Sequence, residues 1–473
     1  MLERGFLPDF SPRIASELEH LRGPADRAGG AVRDLTHLLW CSIDNDESRD
    51  LDQLTVAEAL PGGAARVLVA VADVDAIVDR RSALDDHARH NTTSVYTPAA
   101  IFPMLPEKLS NDLSSLNFEA NRPAIVVEIE LAADGSPARS DIYRAIVRNR
   151  AKLAYNSVAA WLDGKGQSPV AIANAPGLDE NLRLQDRLAR LLKSCRHAKG
   201  ALSLETLQAR PVFAGARLKD LVFDSANRAK DIIEDFMIAA NSAVAHFLAL
   251  HKSPSIRRVV RTPKDWNRIV ELAAERGSRL PDKPDSSALE QFLSAARAAD
   301  PLRFPDLSLS VIKLIGSGEY VAEPPGGPSP GHFGLAVEDY THSTAPNRRY
   351  PDLTTQRLIK SALDGKPPPF DGAQLDEIAK HCMEMSDAAK KVERQVVKSA
   401  AALLLEPKIG RQFDSIVTGA ADKGTWVRLL EFPAEGKLVR GFEGKKVGQR
   451  LRVRLVATDV ERGFIDFELA RAS

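Results

Sequence analysis

Asp44, Asp50 and Asp52 lie within nine residues of one another, just after an apolar run at 35–43. Asp50 and Asp52 are two apart, so in an extended segment both carboxylates point to one side. Asp44 comes six residues earlier, where a turn brings it back towards the same point. Carboxylates gathered at one point repel each other unless a cation sits between them. Hard divalent cations with oxygen ligands, Mg²⁺ or Mn²⁺, meet that need. A calcium loop is excluded, because Arg49 stands where its sharp turn needs Gly and Thr55 where it needs a bidentate Glu. Spacing alone leaves two readings open, a metal site and a solvated acidic turn after a strand.

Such a cluster needs a scaffold, and the flanking sequence supplies elements for one. The Val-rich run at 67–74 reads as a buried strand, and 124–131 as another, ended by the turn signal Asp134-Gly135. A third strand is read at 143–153. Helical spacing appears at 184–194 and at 229–250, where Ile232, Ile233, Phe236 and Ala240 form an inward stripe. Pro281, Pro284, Pro301 and Pro305 punctuate a polar helical region, and 324–330 is a Pro/Gly-rich connector. Helices are predicted over 353–363 and 375–405. After Pro407 five short β-type runs (413–418, 425–430, 437–441, 450–456 and 464–469) suggest a small closed barrel of the OB type. The predicted fold is a mixed α/β domain over 31–403, preceded by a short extension at 1–30 and followed by the barrel at 404–473.

Lys+Arg and Asp+Glu are equal at 64 each, so the formal net charge is zero. A global attraction to nucleic acid is absent, and any such surface needs local clustering of Lys and Arg. The three cysteines, Cys41, Cys195 and Cys382, form no CxxC pair, which argues against a sequence-local zinc site and against a disulfide scaffold. A reducing, cytoplasmic setting is the expectation. The first residues show no basic stretch followed by an apolar core, and no uninterrupted apolar run is long enough to span a bilayer. A monomer without membrane attachment is expected.

Six ordered blocks resemble the RNB catalytic domain of the ribonuclease II and ribonuclease R family. They are Arg33-Asp-Leu-Thr with Ser42 to Asp52; Val71-Ala-Asp-Val74; Thr93-Ser-Val-Tyr96 through Glu107 with Leu109 to Asn117; Ile233-Glu-Asp-Phe-Met237 with Ala240-Asn241; His332-Phe-Gly-Leu335 through Asp352; and a C-terminal barrel similar to the family's S1 domain. The resemblance implies a hydrolytic 3′→5′ exoribonuclease that threads single-stranded RNA to a buried magnesium site and releases 5′-nucleotides. It places Asp44, Asp50 and Asp52 at three of the family's four metal-site aspartates. Gln53 stands at the fourth and supplies a neutral oxygen without charge, which bears on the second of the two magnesium ions the resemblance implies. That departure sets a second expectation beside the first, an RNB-like scaffold that binds RNA with weakened or absent turnover. Asp46 is a candidate to compensate.

By the same resemblance Arg348 is the catalytic arginine, beside Arg349; Tyr96 stacks on the terminal base; and Glu234 sits near the 3′ end. A second stacking ring is implied near Leu202 to Leu204, where this sequence has none. His332 and His342 read better as hydrogen-bonded structural residues. In the barrel, Trp426, Lys423 and Arg428 are RNA-binding candidates, with Phe413 and Phe442 as further candidate rings. Family members usually carry two N-terminal cold-shock-type barrels, whereas the first block here begins near residue 33, so a more open entry and weaker RNA affinity are expected.

Overall fold

In the computed structural model the Val-rich run is the middle of a seven-stranded sheet. Residues 1–21, 23, 31–214, 217–224, 226–327, 331–421 and 424–470 are described. Helix α1 (Pro12–His20) precedes strands β1 (Val32–Asp34), β2 (Cys41–Asp44), β3 (Gln53–Ala59) and β4 (Ala65–Ala72). Helix α2 (Ala83–Asn91) and a small hairpin, β5 (Val95–Tyr96) with β6 (Ile101–Phe102), follow. The long hairpin β7 (Asn121–Leu131) and β8 (Pro137–Arg148), with β9 (Ala151–Ala154), completes the sheet in the order β1-β8-β7-β4-β3-β2-β9. The two outermost pairings, β1 with β8 and β2 with β9, are parallel, and the rest are antiparallel.

Antiparallel sheets often leave one face to water and then alternate apolar with polar residues. β4 does not alternate: every residue in it except Arg66 is buried, so both faces are covered. Each of Val67, Leu68, Val69 and Val71 is at most 2% exposed, worth roughly 1.5–3 kcal/mol apiece.

Next come α3 (Tyr155–Leu162), α4 (Val170–Ala173), α5 (Leu178–Ala198), the hairpin β10 (Gln208–Ala214) and β11 (Arg217–Asp224), and α6 (Arg228–Leu250). α6 is capped by the Asn227 side chain on the Lys230 N–H. It has the length and apolar composition of a membrane span, a property the sequence reading did not expect of any segment. Here it packs as a core helix against β2, β4, β7 and β8. Strand β12 (Ser255–Val259) pairs with β13 (Glu319–Glu323), and between them α7 (Trp266–Ala274), α8 (Ser286–Ala299) and α9 (Phe304–Ile315) build a separate core around Ile269, Leu289, Phe292 and Phe304. Helix α10 (Tyr350–Leu363) leads to the 34-residue α11 (Gly372–Leu405), which opens with a capping box formed by Asp371 and Gln374.

The chain ends in a closed barrel, β14 (Gln412–Ala421), β15 (Gly424–Leu429), β16 (Glu435–Arg440), β17 (Arg450–Asp459) and β18 (Phe464–Leu469), ordered β14-β15-β16-β18-β17. All five expected barrel strands are present. The barrel core of Val417, Val427, Leu438, Val453 and Phe467 is continuous with Ala400, Ala401, Ala402 and Leu405 of α11.

Candidate active site

The acidic loop links the end of β2 to the start of β3, and its shape is set by backbone hydrogen bonds. Leu51 N–H donates to Ser115 Oγ at 3.0 Å, and Ser115 Oγ donates to the Arg49 carbonyl at 2.9 Å. Leu116 N–H reaches the Leu51 carbonyl and Ala72 N–H the Asp52 carbonyl. The loop is thereby fastened to the 109–117 segment on one side and to β4 on the other. Asp52 ends 2% exposed.

Two donors from a distant segment meet that buried carboxylate. Asn347 N–H donates to Asp52 Oδ1 at 3.0 Å, and Arg348 Nε donates to Oδ2 at 3.3 Å. Asn347 is itself held by its side-chain oxygen, which accepts from Ser114 Oγ at 2.5 Å. Burial pushes the Asp52 carboxyl up to about 7; Arg348 opposes the rise and the Asp50 charge adds to it. Burial likewise raises Asp44. Burial works against the Arg348 charge, but Asp52, Tyr96 and Asp50 override it, so the guanidinium holds its proton more tightly than usual.

Tyr96 joins the same cluster. Ser94 N–H donates to the Arg348 carbonyl at 3.0 Å, which seats the β5 strand beside the arginine. Tyr96 N–H donates to Glu393 of α11 at 3.2 Å, and the phenol donates to Asp50 Oδ2 at 2.9 Å. Tyr96 as a whole is 40% exposed, while its hydroxyl end lies among charges. Burial, then the Asp50 charge, raises its pKa. The exposed ring leaves a face for a base and the hydroxyl a grip on a carboxylate.

Gln53 is turned to a structural partner. Its side-chain N–H donates to the Thr344 carbonyl at 2.6 Å, tying the start of β3 to the turn that presents Asn347 and Arg348. Asp46 is exposed. Among the described residues no three Asp, Glu, His or Cys side chains already surround one point at metal-ligating distance. The donor chemistry nonetheless suits a hard cation: Asp44, Asp50 and Asp52 all act electrostatically on one another or on Arg348, and that single guanidinium cannot neutralise three carboxylates. Asp44, Asp50 and Asp52 are the residues that would hold it.

The remaining candidates fall in different surroundings. Arg349 pairs with Asp352 at 2.7 Å rather than with the acidic loop. Glu234 is exposed on α6. His332 Nδ1 accepts the Leu335 N–H and His342 Nδ1 shares a 2.7 Å hydrogen bond with Tyr320, so both are held by structural partners; burial depresses His332 to about 4 and lowers His342 well below its ordinary value. Leu202 and Leu204 pack on the α7–α9 core, and Glu290 grips Ser203 through its N–H and hydroxyl. In the barrel, Trp426 is half-buried opposite Lys437. One guanidinium nitrogen of Arg428, Nη2, donates to both carboxylate oxygens of Asp306 of α9 at 2.9 and 3.0 Å, joining the barrel to the α7–α9 unit. Phe413 packs against the barrel core, and Phe442 is 41% exposed. Lys423 lies outside the described residues.

Sequence reasoning missed Asn347, Ser115 and Glu393. Ser115 and Asn347 lie inside the blocks that carry the resemblance, but their parts are played by a hydroxyl and a backbone N–H that no residue type announces. Glu393 carried no signal beyond a helical acid.

Comparison with known proteins gives this geometry a family. The RNB domain profile matches residues 32–365, and that of the RNase II-type exonuclease C-terminal S1 domain matches 411–470. Ribonuclease R of Escherichia coli (strain K12) is 30% identical over 94% of this chain and 58% of its own length; the chain thus spans little more than half of that relative. The apo form of Mycoplasma genitalium RNase R superposes with a TM-score of 0.87 at 25% identity, over 99% of this chain and 77% of that one. The same enzyme in complex with ribose methylated single-stranded RNA gives 0.87 at 24% identity, with the same coverage. With both profiles matched in order along one chain, this protein belongs to the RNB-domain family and carries that family's RNase II-type S1 barrel at its C-terminal side.

Proposed function

We propose that this chain is a magnesium-dependent, hydrolytic exoribonuclease that shortens single-stranded RNA from its 3′ end and releases 5′-nucleoside monophosphates, with Mn²⁺ as a substitute ion. The observation that carries this reading is the linkage of Asp52, Arg348, Tyr96 and Asp50 through direct hydrogen bonds and one segment pairing. A buried carboxylate cluster, a phosphate-binding guanidinium and an exposed ring within one constellation serve the hydrolysis of a terminal phosphodiester. They have no common purpose in a passive scaffold. The relative solved with single-stranded RNA supports the substrate class.

When bound at the three aspartates, Mg²⁺ supplies Lewis acidity and an activated water. The chain's own groups do the rest. Tyr96 offers its ring to the terminal base, an interaction worth roughly 1–3 kcal/mol and indifferent to sequence. Arg348 offers its remaining guanidinium N–H groups to non-bridging phosphate oxygens, where removing such a donor typically costs about 10²–10³ in rate. Asn347 and Ser115 keep Asp52 and its loop in place.

The alternative is an RNA-binding scaffold without turnover, and Gln53 favours it by withholding the fourth negative charge. Incubation of 5′-labelled single-stranded RNA with Mg²⁺, beside Asp52→Asn, separates the two. Progressive shortening that disappears in the variant supports the exonuclease. Intact RNA with metal-independent binding supports the scaffold, and internal cuts point to an endonuclease.

A further inference from the structure

We infer that Phe6, from the segment ahead of α1, is a positioning residue for Tyr96: it completes the apolar seat of β5 and so sets where the exposed ring meets a terminal base. This deepens the proposed function and rests on its assignment of Tyr96 to that base, not on turnover.

β5 is two residues long and pairs with the equally short β6. A hairpin of that size is not stable by itself in water, so its place is decided by what it packs against. Successive strand side chains point to opposite sides. Val95 is accordingly 0% exposed while Tyr96 faces outward, and the seat of the one fixes the tilt of the other. Val95 shares an apolar cluster with Met385, Ala389 and Val392, all of α11, and with Phe6, which is 1% exposed. Among the buried members described, Phe6 alone comes from outside β5 and α11. The hydrogen bonds of Tyr96 to Glu393 and Asp50 tether its N–H and its hydroxyl; they leave the Val95 side to packing.

Phe6 is itself held on both flanks by the last turn of α2. His90 Nε2 donates to the Gly5 carbonyl at 2.8 Å. Leu7 N–H donates to Asn91 Oδ1 at 2.9 Å, and Asn91 Nδ2 donates back to the Leu7 carbonyl at 2.8 Å. Asn91 is buried, so this two-way clasp is shielded from water. The other end of α2 is fixed as well, where the Ala83 and Leu84 N–H groups donate to Glu17 of α1 at 2.6 and 3.0 Å. The chain leaves α2 at Asn91 and reaches Val95 four residues later. Phe6 thus joins the anchored end of α2 to the strand that α2 feeds. Ile14 supplies the contrast. It is as buried as Phe6 and lies on the same N-terminal side, yet it packs in the main sheet core rather than beside Val95.

The test compares two RNAs that differ only at the 3′ end, one with its terminal base and one with an abasic terminal nucleotide, each titrated in chelator. Wild type is expected to prefer the base-bearing end by about 5- to 150-fold, the size of one base–aromatic stack. Tyr96→Ala should abolish that preference. Phe6→Ala should forfeit about half of it on a logarithmic scale, a fall of about 2- to 12-fold, and Phe6→Leu should keep most of it. Ile14→Ala, which shortens an equally buried side chain, should lower the melting temperature and leave the preference intact. If Phe6→Ala does not fold, the smaller deletion Phe6→Val takes its place with a fall in the same direction. An unchanged preference on shortening Phe6, or an equal fall in Ile14→Ala, overturns the positioning role. A wild type that shows the preference but never shortens RNA in Mg²⁺ sinks the exonuclease reading and leaves the role of Phe6 standing. A wild type with no preference removes the assignment of Tyr96 to the base, and the role of Phe6 with it.

Discussion

The Tyr96 hydroxyl donates to Asp50 across 2.9 Å, so the residue with an exposed ring for a base also orients a candidate metal ligand. The two roles separate by substitution. Tyr96→Ala removes ring and hydroxyl, and RNA binding should weaken by about 5- to 150-fold, the equivalent of roughly 1–3 kcal/mol. Tyr96→Phe keeps the ring and should hold near wild-type affinity, while raising the Mg²⁺ concentration needed for half-maximal turnover. Equal behaviour of the two variants in both assays would show that the hydroxyl has no role of its own.

Asp52 sets function against stability. Its pKa rises from 3.8 to about 7 on folding, chiefly through burial. Below the unfolded value the group is neutral in both states and costs nothing. As pH rises through this window the unfolded chain ionises first, so stability falls, and the full cost is present above about 7. At about 1.36 kcal/mol per unit it is on the order of a few kcal/mol. Asp52→Asn should therefore melt higher than wild type above pH 7 in chelator, converge with it at low pH, and lose RNA shortening. Matched melting curves across the pH range would contradict this.

Gln53→Asp supplies a fourth charge but removes the N–H donated to Thr344. The Thr344 carbonyl then loses its partner and faces a carboxylate, at a cost of about 1–3 kcal/mol. The turn that presents Arg348 loosens with it. The sequence alone favours a faster enzyme on this substitution if a second metal is weakly held. The geometry reverses that expectation: turnover at saturating Mg²⁺ should not rise, and thermal stability should fall. A faster, equally stable variant would restore the simpler view.

Arg428 and Asp306, each with a side chain 15% exposed, join the barrel to α9. A double-mutant cycle with Arg428→Ala and Asp306→Ala should give a coupling of about 1 kcal/mol or more in unfolding free energy, since a charge-assisted pair largely shielded from water exceeds ordinary surface pairs. Arg428→Ala alone should change the salt slope of RNA binding by less than the removal of one phosphate-neutralising cation does, about 0.7. A change of that full size would return Arg428 to the RNA-binding set.

Much of the fold was legible because its longest elements carry unambiguous periods. The Val-rich β4, the apolar stripe of α6 and all five barrel strands were read directly. The β10–β11 hairpin and the β12–β13 pair escaped, since each is short, rich in charge and stabilised by its neighbours rather than by its own pattern. The site was legible in part. The acidic spacing raised a metal site but could not exclude a solvated turn. Arg348 approaches Asp52 across 296 positions of sequence, a separation only the resemblance could bridge. Arg428 reads as an RNA-binding residue in any basic barrel, and only its pairing with Asp306 shows what it touches.

One uninterrupted helix, α11, touches both the β5 strand that carries Tyr96 and the barrel strands β17 and β18. Its hydrogen bonds to them, Glu393 with the Tyr96 N–H and Gln395 with the Arg462 carbonyl of the β17–β18 turn, leave from positions two residues apart with no hinge between them. Under the proposed activity the distance from base clamp to barrel is therefore a fixed gauge rather than a tether. The shortest RNA able to touch both is set by a rigid junction and should be the same whatever its sequence.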